Sequence, residues 1–284
     1  MFLIGVFVES SARAENSRSD SVSSVSSLRT SIRYTSDYYY MGRSDSAMAP
    51  YLTPSITYYH KSGLFLHSSL SYLLASGEGR VDLYTLSGGF DYFGKNYALG
   101  IALSQYFFSE SSYAIQAEMK TWIKATAGYD FRLFTIYMDG GLGFSDGTDV
   151  FLGTELTRTF YTLKNRLRLS PSFYINAGTQ QYYNAYVGKR SEHTGDGMST
   201  GHGSHTHQSA TTTDIRIEES SKFQILDYEL ALQLSYKLNK VKFFSTGTLT
   251  FPVNPSVLTI DGIKIEEELD TGFYWSVGLR YIIF

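Results

Sequence analysis

The stretch from Leu226 to Leu238 constrains this chain more than any other. Leu226, Tyr228, Leu230, Leu232, Leu234, Tyr236 and Leu238 alternate with Asp227, Glu229, Ala231, Gln233, Ser235 and Lys237. Successive side chains of a strand point to opposite faces, so this segment has one apolar and one polar face. Soluble strands average about 5 to 6 residues. A strand this long crosses something thick.

The pattern recurs along the chain. Ile115, Ala117, Met119, Ile123, Ala125, Ala127, Tyr129 and Phe131 share a face, opposite Glu118, Lys120, Lys124, Asp130 and Arg132. Phe134, Ile136, Met138, Leu142 and Phe144 oppose Thr135, Tyr137, Asp139 and Ser145, and Phe273, Trp275, Val277, Leu279, Tyr281 and Ile283 oppose Ser276, Gly278 and Arg280. Twelve alternating segments result: 28–41, 49–60, 63–76, 81–94, 96–109, 113–131, 133–146, 149–163, 166–187, 213–238, 240–252 and 270–284. Connections after the even segments are tight, at Lys61-Ser62, Lys95, Arg132, Lys164-Asn165 and Asn239. Those after the odd ones are longer or more polar, the longest being 188–212 and 254–269.

Two all-β architectures wet one face of a long strand. A soluble sandwich needs Lys, Glu and Thr on its outer faces, whereas here Tyr84, Phe90 and Tyr92, or Phe273, Trp275 and Tyr281, crowd the ends of the apolar face. An even strand count with short turns on one side fits a closed membrane barrel, which leaves no backbone edge unpaired in lipid. The expectation is a single antiparallel transmembrane β-barrel of about 12 strands over residues 28–284.

Composition agrees. Charged residues make up 18% of the 284, against roughly 25% in soluble domains, and aromatics reach 16%. The net charge of -3 and the lack of a long basic block leave no electrostatic footprint for nucleic acid. With no cysteine, disulfides, thiolate metal sites and a Cys nucleophile are excluded. No apolar run reaches the 18 residues or so that a transmembrane helix requires. Residues 1–27 form a separate segment. Phe2 to Val8 and the small-x-small Ala12-Arg13-Ala14 suggest an export signal lacking its charged start, followed by a Ser-rich, disordered-looking spacer.

With these patterns in hand, the chain resembles the outer-membrane β-barrel class of Gram-negative bacteria. Tyr-rich strands such as "PYLTPSITYYHKSG" are similar to barrels of the Bacteroidota type. The resemblance implies outer-membrane lipids as surroundings, the barrel-assembly machinery during biogenesis, termini and short turns in the periplasm, and long loops outside; other envelope proteins are possible partners. In that class a terminal aromatic residue assists assembly. Phe284 stands last here, but on the parity of Arg280 and Ile282 rather than on that of the apolar face.

The polar faces define the candidate functional residues. Arg29, Arg33, Asp37, Asp91, Glu118, Lys120, Lys124, Asp130, Arg132, Asp139, Glu155, Arg166, Arg168, Asp227, Glu229, Lys237, Lys242 and Arg280 are expected to face the lumen. Mixed charges there either cross-link the wall or tune a pore for small polar solutes. No cofactor is implied and no enzymatic role is expected. The one catalytic alternative is His67-x-Ser69, a spacing that puts imidazole and hydroxyl on one strand face. Outer-membrane phospholipases and lipid A deacylases carry a similar pair, but aimed at lipid, whereas these two lie on the polar face. His193, His202, His205 and His207, in a Gly- and Ser-rich loop, offer imidazoles for a weak surface metal site; solvated loop and partner or sugar contact are the other readings. Pro54 and Pro171 fall inside strands and mark either local irregularity or a lateral opening.

Overall fold

The computed structural model describes residues 25–45, 47–75, 77, 79–186, 215–260 and 263–284. The alternating segments form sixteen strands: β1 (Ser27–Thr35), β2 (Tyr51–Tyr59), β3 (Leu64–Leu73), β4 (Arg80–Phe93), β5 (Tyr97–Phe108), β6 (Thr121–Asp130), β7 (Thr135–Phe144), β8 (Thr148–Thr157), β9 (Phe160–Thr162), β10 (Leu167–Gly178), β11 (Ile215–Ile217), β12 (Gln224–Leu238), β13 (Val241–Pro252), β14 (Val257–Ile260), β15 (Ile263–Glu266) and β16 (Gly272–Ile282). Neighbouring wall strands are antiparallel. β1 pairs with β16 and β10 with β12, so the sheet closes into a ring, with β9 continuing the path of β8. The wall therefore has twelve strands. Closure gives the wall strands a partner on each edge except along β9, which pairs with β10 alone, and so meets nearly everywhere the condition that lipid imposes.

Which face points out follows from the side-chain period. Leu230, Leu232 and Leu234 of β12, Leu99, Ile101 and Leu103 of β5, and Phe273, Trp275, Val277 and Leu279 of β16 are exposed, while their polar neighbours turn inward. A soluble protein does not leave such a continuous apolar surface. The twelve residues of β13, at about 3.3 Å each and a tilt near 40°, span roughly 30 Å, enough for an apolar band of about 25 Å. Aromatic pairs mark both rims of that band. At one rim Tyr92 packs on Tyr97 at 5.9 Å and Phe131 on Phe134 at 5.2 Å; at the other Tyr84 meets Phe107 at 5.8 Å and Tyr34 meets Trp275 at 5.3 Å. The chain is a membrane-spanning β-barrel.

The two ends differ. At the turn end, β1 begins and β16 finishes, and five tight turns join β2–β3, β4–β5, β6–β7, β9–β10 and β12–β13. Left-handed residues close several of them: Gly63 at φ 99°, Arg132 at 73°, Leu163, Lys164 and Asn165 at 50°, 56° and 64°, and Asn239 at 53°. At the loop end only β7–β8 is short, closed by the Ser145 N–H donating to the Gly147 carbonyl at 2.9 Å.

Four strand boundaries depart from the sequence pattern. β1 stops at Thr35 instead of running to 41, and β6 starts at Thr121 rather than 113. Past Gly178 the chain forms a short helix at 181–186, where continued strand was expected. Residues 215–217 belong not to β12 but to a separate three-stranded sheet with β14 and β15, so the 254–269 connection contains a hairpin. In each case apolar residues read as strand belong to loop-end connections. Tyr38, Tyr40, Met41, Ala114, Ile115, Met119, Tyr182 and Tyr186 pack with the wall residues Tyr51, Leu73, Tyr106, Trp122, Phe151 and Leu226 in one buried cluster. Ile115 and Met119, expected on the lipid face, are thus inside the barrel mouth. Burial there removes as much apolar area from water as lipid would.

Both in-strand prolines interrupt a ladder. β2 skips pairing with β3 at Thr53 and Pro54. Opposite Pro171, β8 breaks before β9, and the Arg158 N–H donates to the Pro171 carbonyl at 3.2 Å. Proline has no N–H to give a ladder, so wall regularity is lost at these points.

Candidate functional site

Inward parity collects the polar wall. Arg33, Lys124, Asp139, Glu155, Arg168, Asp227, Glu229 and Arg280 are buried inside the barrel, with Arg29, Asp91 and Lys242 half-buried. Many of these charges have defined partners on the wall itself. Glu155 accepts from Ser172 Oγ at 2.9 Å and Tyr174 Oη at 3.0 Å, each from β10. Asp227 accepts from Asn176 Nδ2 at 2.7 Å and Thr250 Oγ1 at 3.1 Å, which ties β10, β12 and β13 together. Glu229 accepts from Tyr274 Oη at 3.4 Å. Further round the wall, on β13, β16, β1 and β2, Arg33 and Arg280 lie over the Phe244 ring at 5.2 and 5.9 Å, and Arg29 over Tyr59 at 4.5 Å. Such contacts satisfy cations whose stems lie along the wall.

Arg166 and Lys237 share that parity but stand exposed at the turn end, as do Arg132 and, half-buried, Asp130. Glu118 and Lys120 lie before β6 begins, in the loop-end connection; Glu118 is half-buried and Lys120 exposed at the mouth. Asp37 also leaves the wall. Its Oδ1 accepts the N–H groups of Tyr38 and Ala49, each at 2.8 Å, so it organises the 36–50 connection from within, and burial raises its carboxyl above the ordinary range.

The apolar cluster is a plug across the loop-end mouth. Tyr38 packs edge-on against Tyr51 of β2 at 5.8 Å, while Tyr40, two residues on, meets Phe151 of β8 at 6.1 Å and Tyr182 of the short helix at 5.1 Å. Trp122 of β6 closes against Phe151 at 4.8 Å. Residues 38–41 therefore bridge the mouth from β2 to β8, and Leu73, Met119, Tyr182 and Leu226 are wholly buried.

Polar side chains fasten this plug to the wall. Asp149 of β8 accepts the N–H groups of Gln181 and Tyr182 at 2.8 and 2.7 Å and the Thr179 hydroxyl at 2.6 Å, capping the short helix from a different strand. Asp82 of β4 accepts hydroxyls from Tyr51, from Ser109 at 2.6 Å and from Ser112 at 2.7 Å. A third fastening ties two loop-end connections to each other rather than to the wall: a forked ion pair with Arg43 Nε 3.0 Å from Glu267 Oε1 and Nη2 3.1 Å from Oε2. Arg43 also donates to the carbonyls of Met41 and Asn254 at 3.3 and 3.2 Å. The Gln180 carboxamide, turned with its oxygen toward Arg43, accepts at 3.0 Å and donates to Ser256 Oγ at 3.2 Å. None of these fastening roles was read from the sequence.

His67 and Ser69 are buried on the lumen side, and His67 Nδ1 pairs with Thr57 Oγ1 at 2.8 Å. The pair faces away from lipid. His193, His202, His205 and His207 lie outside the described residues, as do the N-terminal residues assigned to an export signal. Among the described residues no cluster of three or more His, Asp or Glu side chains could hold a metal ion.

No family model matches this sequence, and no curated protein does. Solved structures of similar architecture include the KdgM porin, at 10% identity over 89% of this chain and 98% of that one, with a TM-score of 0.47. The NanC porin aligns at 8% identity over the same shares, with a TM-score of 0.48. An outer membrane channel from Pseudomonas putida F1 aligns at 10% identity over 93% of this chain and 99% of its own, at 0.46. The likeness is one of barrel architecture.

Proposed function

We propose that this protein is an outer-membrane channel for small polar solutes or ions, closed in this conformation by its loop-end plug. The carrying observation is the charged wall beneath the plug. Burying a charge costs several kcal/mol even when it is paired, and a barrel needed only as a rigid body is filled more cheaply by apolar side chains. Lys124, Asp139, Glu155, Arg168, Asp227 and Glu229 bring both signs into the lumen, which favours small zwitterions or ions over one strongly charged solute. The start of β1, the end of β16 and the tight turns share one end, and the resemblance of the sequence to outer-membrane barrels supports placing that end in the periplasm and the plug at the cell surface.

A second reading has its own observation. The plug is packed and hydrogen-bonded like a domain core, as a scaffold barrel holding an envelope partner would require. Reversal potentials across a salt gradient separate the two. A channel whose wall sets selectivity shifts toward cations when Lys124→Glu is made, measured with the plug loosened by Arg43→Gln. Silence in that background, together with reproducible co-purification of one partner, favours the scaffold.

A further inference from the structure

The two rims of the barrel differ in charge. Each of the five turn-end connections carries an exposed Lys or Arg: Lys61, Lys95, Arg132, Lys164 and Lys240. None of those turns contains an acid. Among the described residues the loop-end connections are mixed with acids in the majority, carrying exposed Glu110, Asp146, Glu219, Glu266, Glu268 and Asp270 beside exposed Lys120, Lys222 and Lys264. A ring of cations just beyond an apolar band attracts a leaflet of anionic headgroups, and each Lys or Arg strengthens the attraction.

One point on the ring is a cavity. Where β8 breaks opposite Pro171, the ladder between β7 and β8 ends at Thr135 and Thr157, while β9 goes on paired only to β10. The gap beyond Thr135 leaves a notch of about 130 Å³. Lys95, Arg132, Arg158 and Asn96 line it with the exposed, apolar Leu133, Phe134 and Phe160, while Ala98, Gly128, Tyr137 and Tyr161, on the lumen-facing parity, form its inner wall. Asp130 is the one carboxylate in the lining, and its Oδ1 accepts the Arg132 N–H at 2.7 Å within the turn. The Arg158 guanidinium lies over the Phe160 ring at 5.0 Å, which places a cation at the boundary between the apolar band and water.

We propose that this notch binds the phosphodiester headgroup of an anionic glycerophospholipid, its acyl chains lying along Leu133, Phe134 and Phe160. The ring concentrates acidic lipid at this rim; the break in the wall provides a concave seat. Lipid retention is read without any conductance, so the proposal stands or falls apart from the channel reading.

Native mass spectrometry of the full chain in nonionic detergent tests it, with phosphatidylglycerol, phosphatidylcholine and inorganic phosphate as separate probes. The expected result is phosphatidylglycerol retained about tenfold or more tightly than phosphatidylcholine. Lys95→Gln with Arg158→Gln removes that margin, whereas Lys61→Gln with Lys240→Gln, on the ring but away from the notch, preserves it. Arg158→Lys keeps most of it. Millimolar inorganic phosphate leaves the lipid bound. Equal retention of the two lipids overturns the proposal. So does an equal loss in both double variants, which means a diffuse ring without a seat. Displacement by inorganic phosphate means a soluble-anion site and also overturns it. Heat-dependent gel mobility of each variant establishes that the barrel is folded before its binding is compared.

Discussion

Replacing Arg43 with Gln removes one partner of the best-formed ion pair in the plug. The Arg43 and Glu267 side chains are 2% and 11% exposed. Truncating one member of a buried pair costs about 3 to 5 kcal/mol, because the remaining charge stays desolvated. Glu267 keeps two donors, Tyr183 Oη at 3.1 Å and the Ser256 N–H at 2.9 Å, so the lower end, about 3 kcal/mol, applies. If the plug opens as a unit, that loss speeds amide hydrogen exchange in residues 36–45 and 181–186 by roughly a hundredfold, at about 1.4 kcal/mol per factor of ten. The wall strands, which do not open with it, keep their protection. Glu267→Gln costs less, since Arg43 retains the Met41 and Asn254 carbonyls and Gln180. In a double-mutant cycle the pair should couple by about 1.5 kcal/mol or more. Exchange within about threefold of the parent in both single variants would refute the view that this pair fastens the plug.

Gly42 stands at φ 78°, and a Cβ there would lie 2.8 Å from Asp227 Cβ and 2.9 Å from Pro252 Cβ; Gly42→Ala should therefore loosen the plug by more than about 1 kcal/mol, read by exchange of 38–43. Leu232, 50% exposed at the middle of β12, should cost about 2 to 4 kcal/mol as Leu232→Arg when unfolding is measured in bilayers, while an unchanged stability would argue against a lipid-facing belt. Burial raises the Asp37 carboxyl above its ordinary value of 3.8, the Ala49 and Tyr38 N–H groups opposing this only in part. The closed plug then binds the proton more readily than the opened segment, so this contribution is full below about pH 4 and is lost as pH rises through the raised value. Protection of 36–50, corrected for intrinsic exchange, should fall with pH across that window and become flat in Asp37→Asn.

The barrel was legible because lipid and a wet interior impose opposite demands on alternate residues. Leu230, Leu232 and Leu234 against Glu229 and Gln233 leave one solution, and each tight turn fell where a Lys, Arg or Asn interrupts the period. The plug was not legible, for a related reason. Tyr38 and Tyr40, and Ile115, Ala117 and Met119, keep period two after the ladder has ended, so the pattern extends strands that structure stops at Thr35 and delays until Thr121. An apolar side chain facing lipid and one folded into the mouth satisfy the same periodicity. Gly42 directly after Met41 was a usable signal of a sharp reversal. The fastening residues carried none: Asp149 caps a helix 32 residues further on through the Gln181 N–H, and Arg43 meets Glu267 across 224 positions, separations at which spacing conveys no contact. Among the lumen charges, parity placed Lys124, Asp139, Arg168 and Asp227 on the inner wall. It did not tell the enclosed positions from the rim, where Arg166 and Lys237 lie in water.

As a channel, this barrel requires a polar lumen beneath a removable apolar closure. Single-channel recording in planar bilayers of the parent beside a variant carrying Tyr40→Ala and Trp122→Ala tests it most directly. Both side chains are buried in the plug, and each truncation removes about 3 to 5 kcal/mol of packing from it. The parent should open rarely and briefly, and the variant frequently with one discrete conductance. A variant as silent as the parent, with its barrel shown to be folded, would contradict it, and so would a parent that stands open throughout.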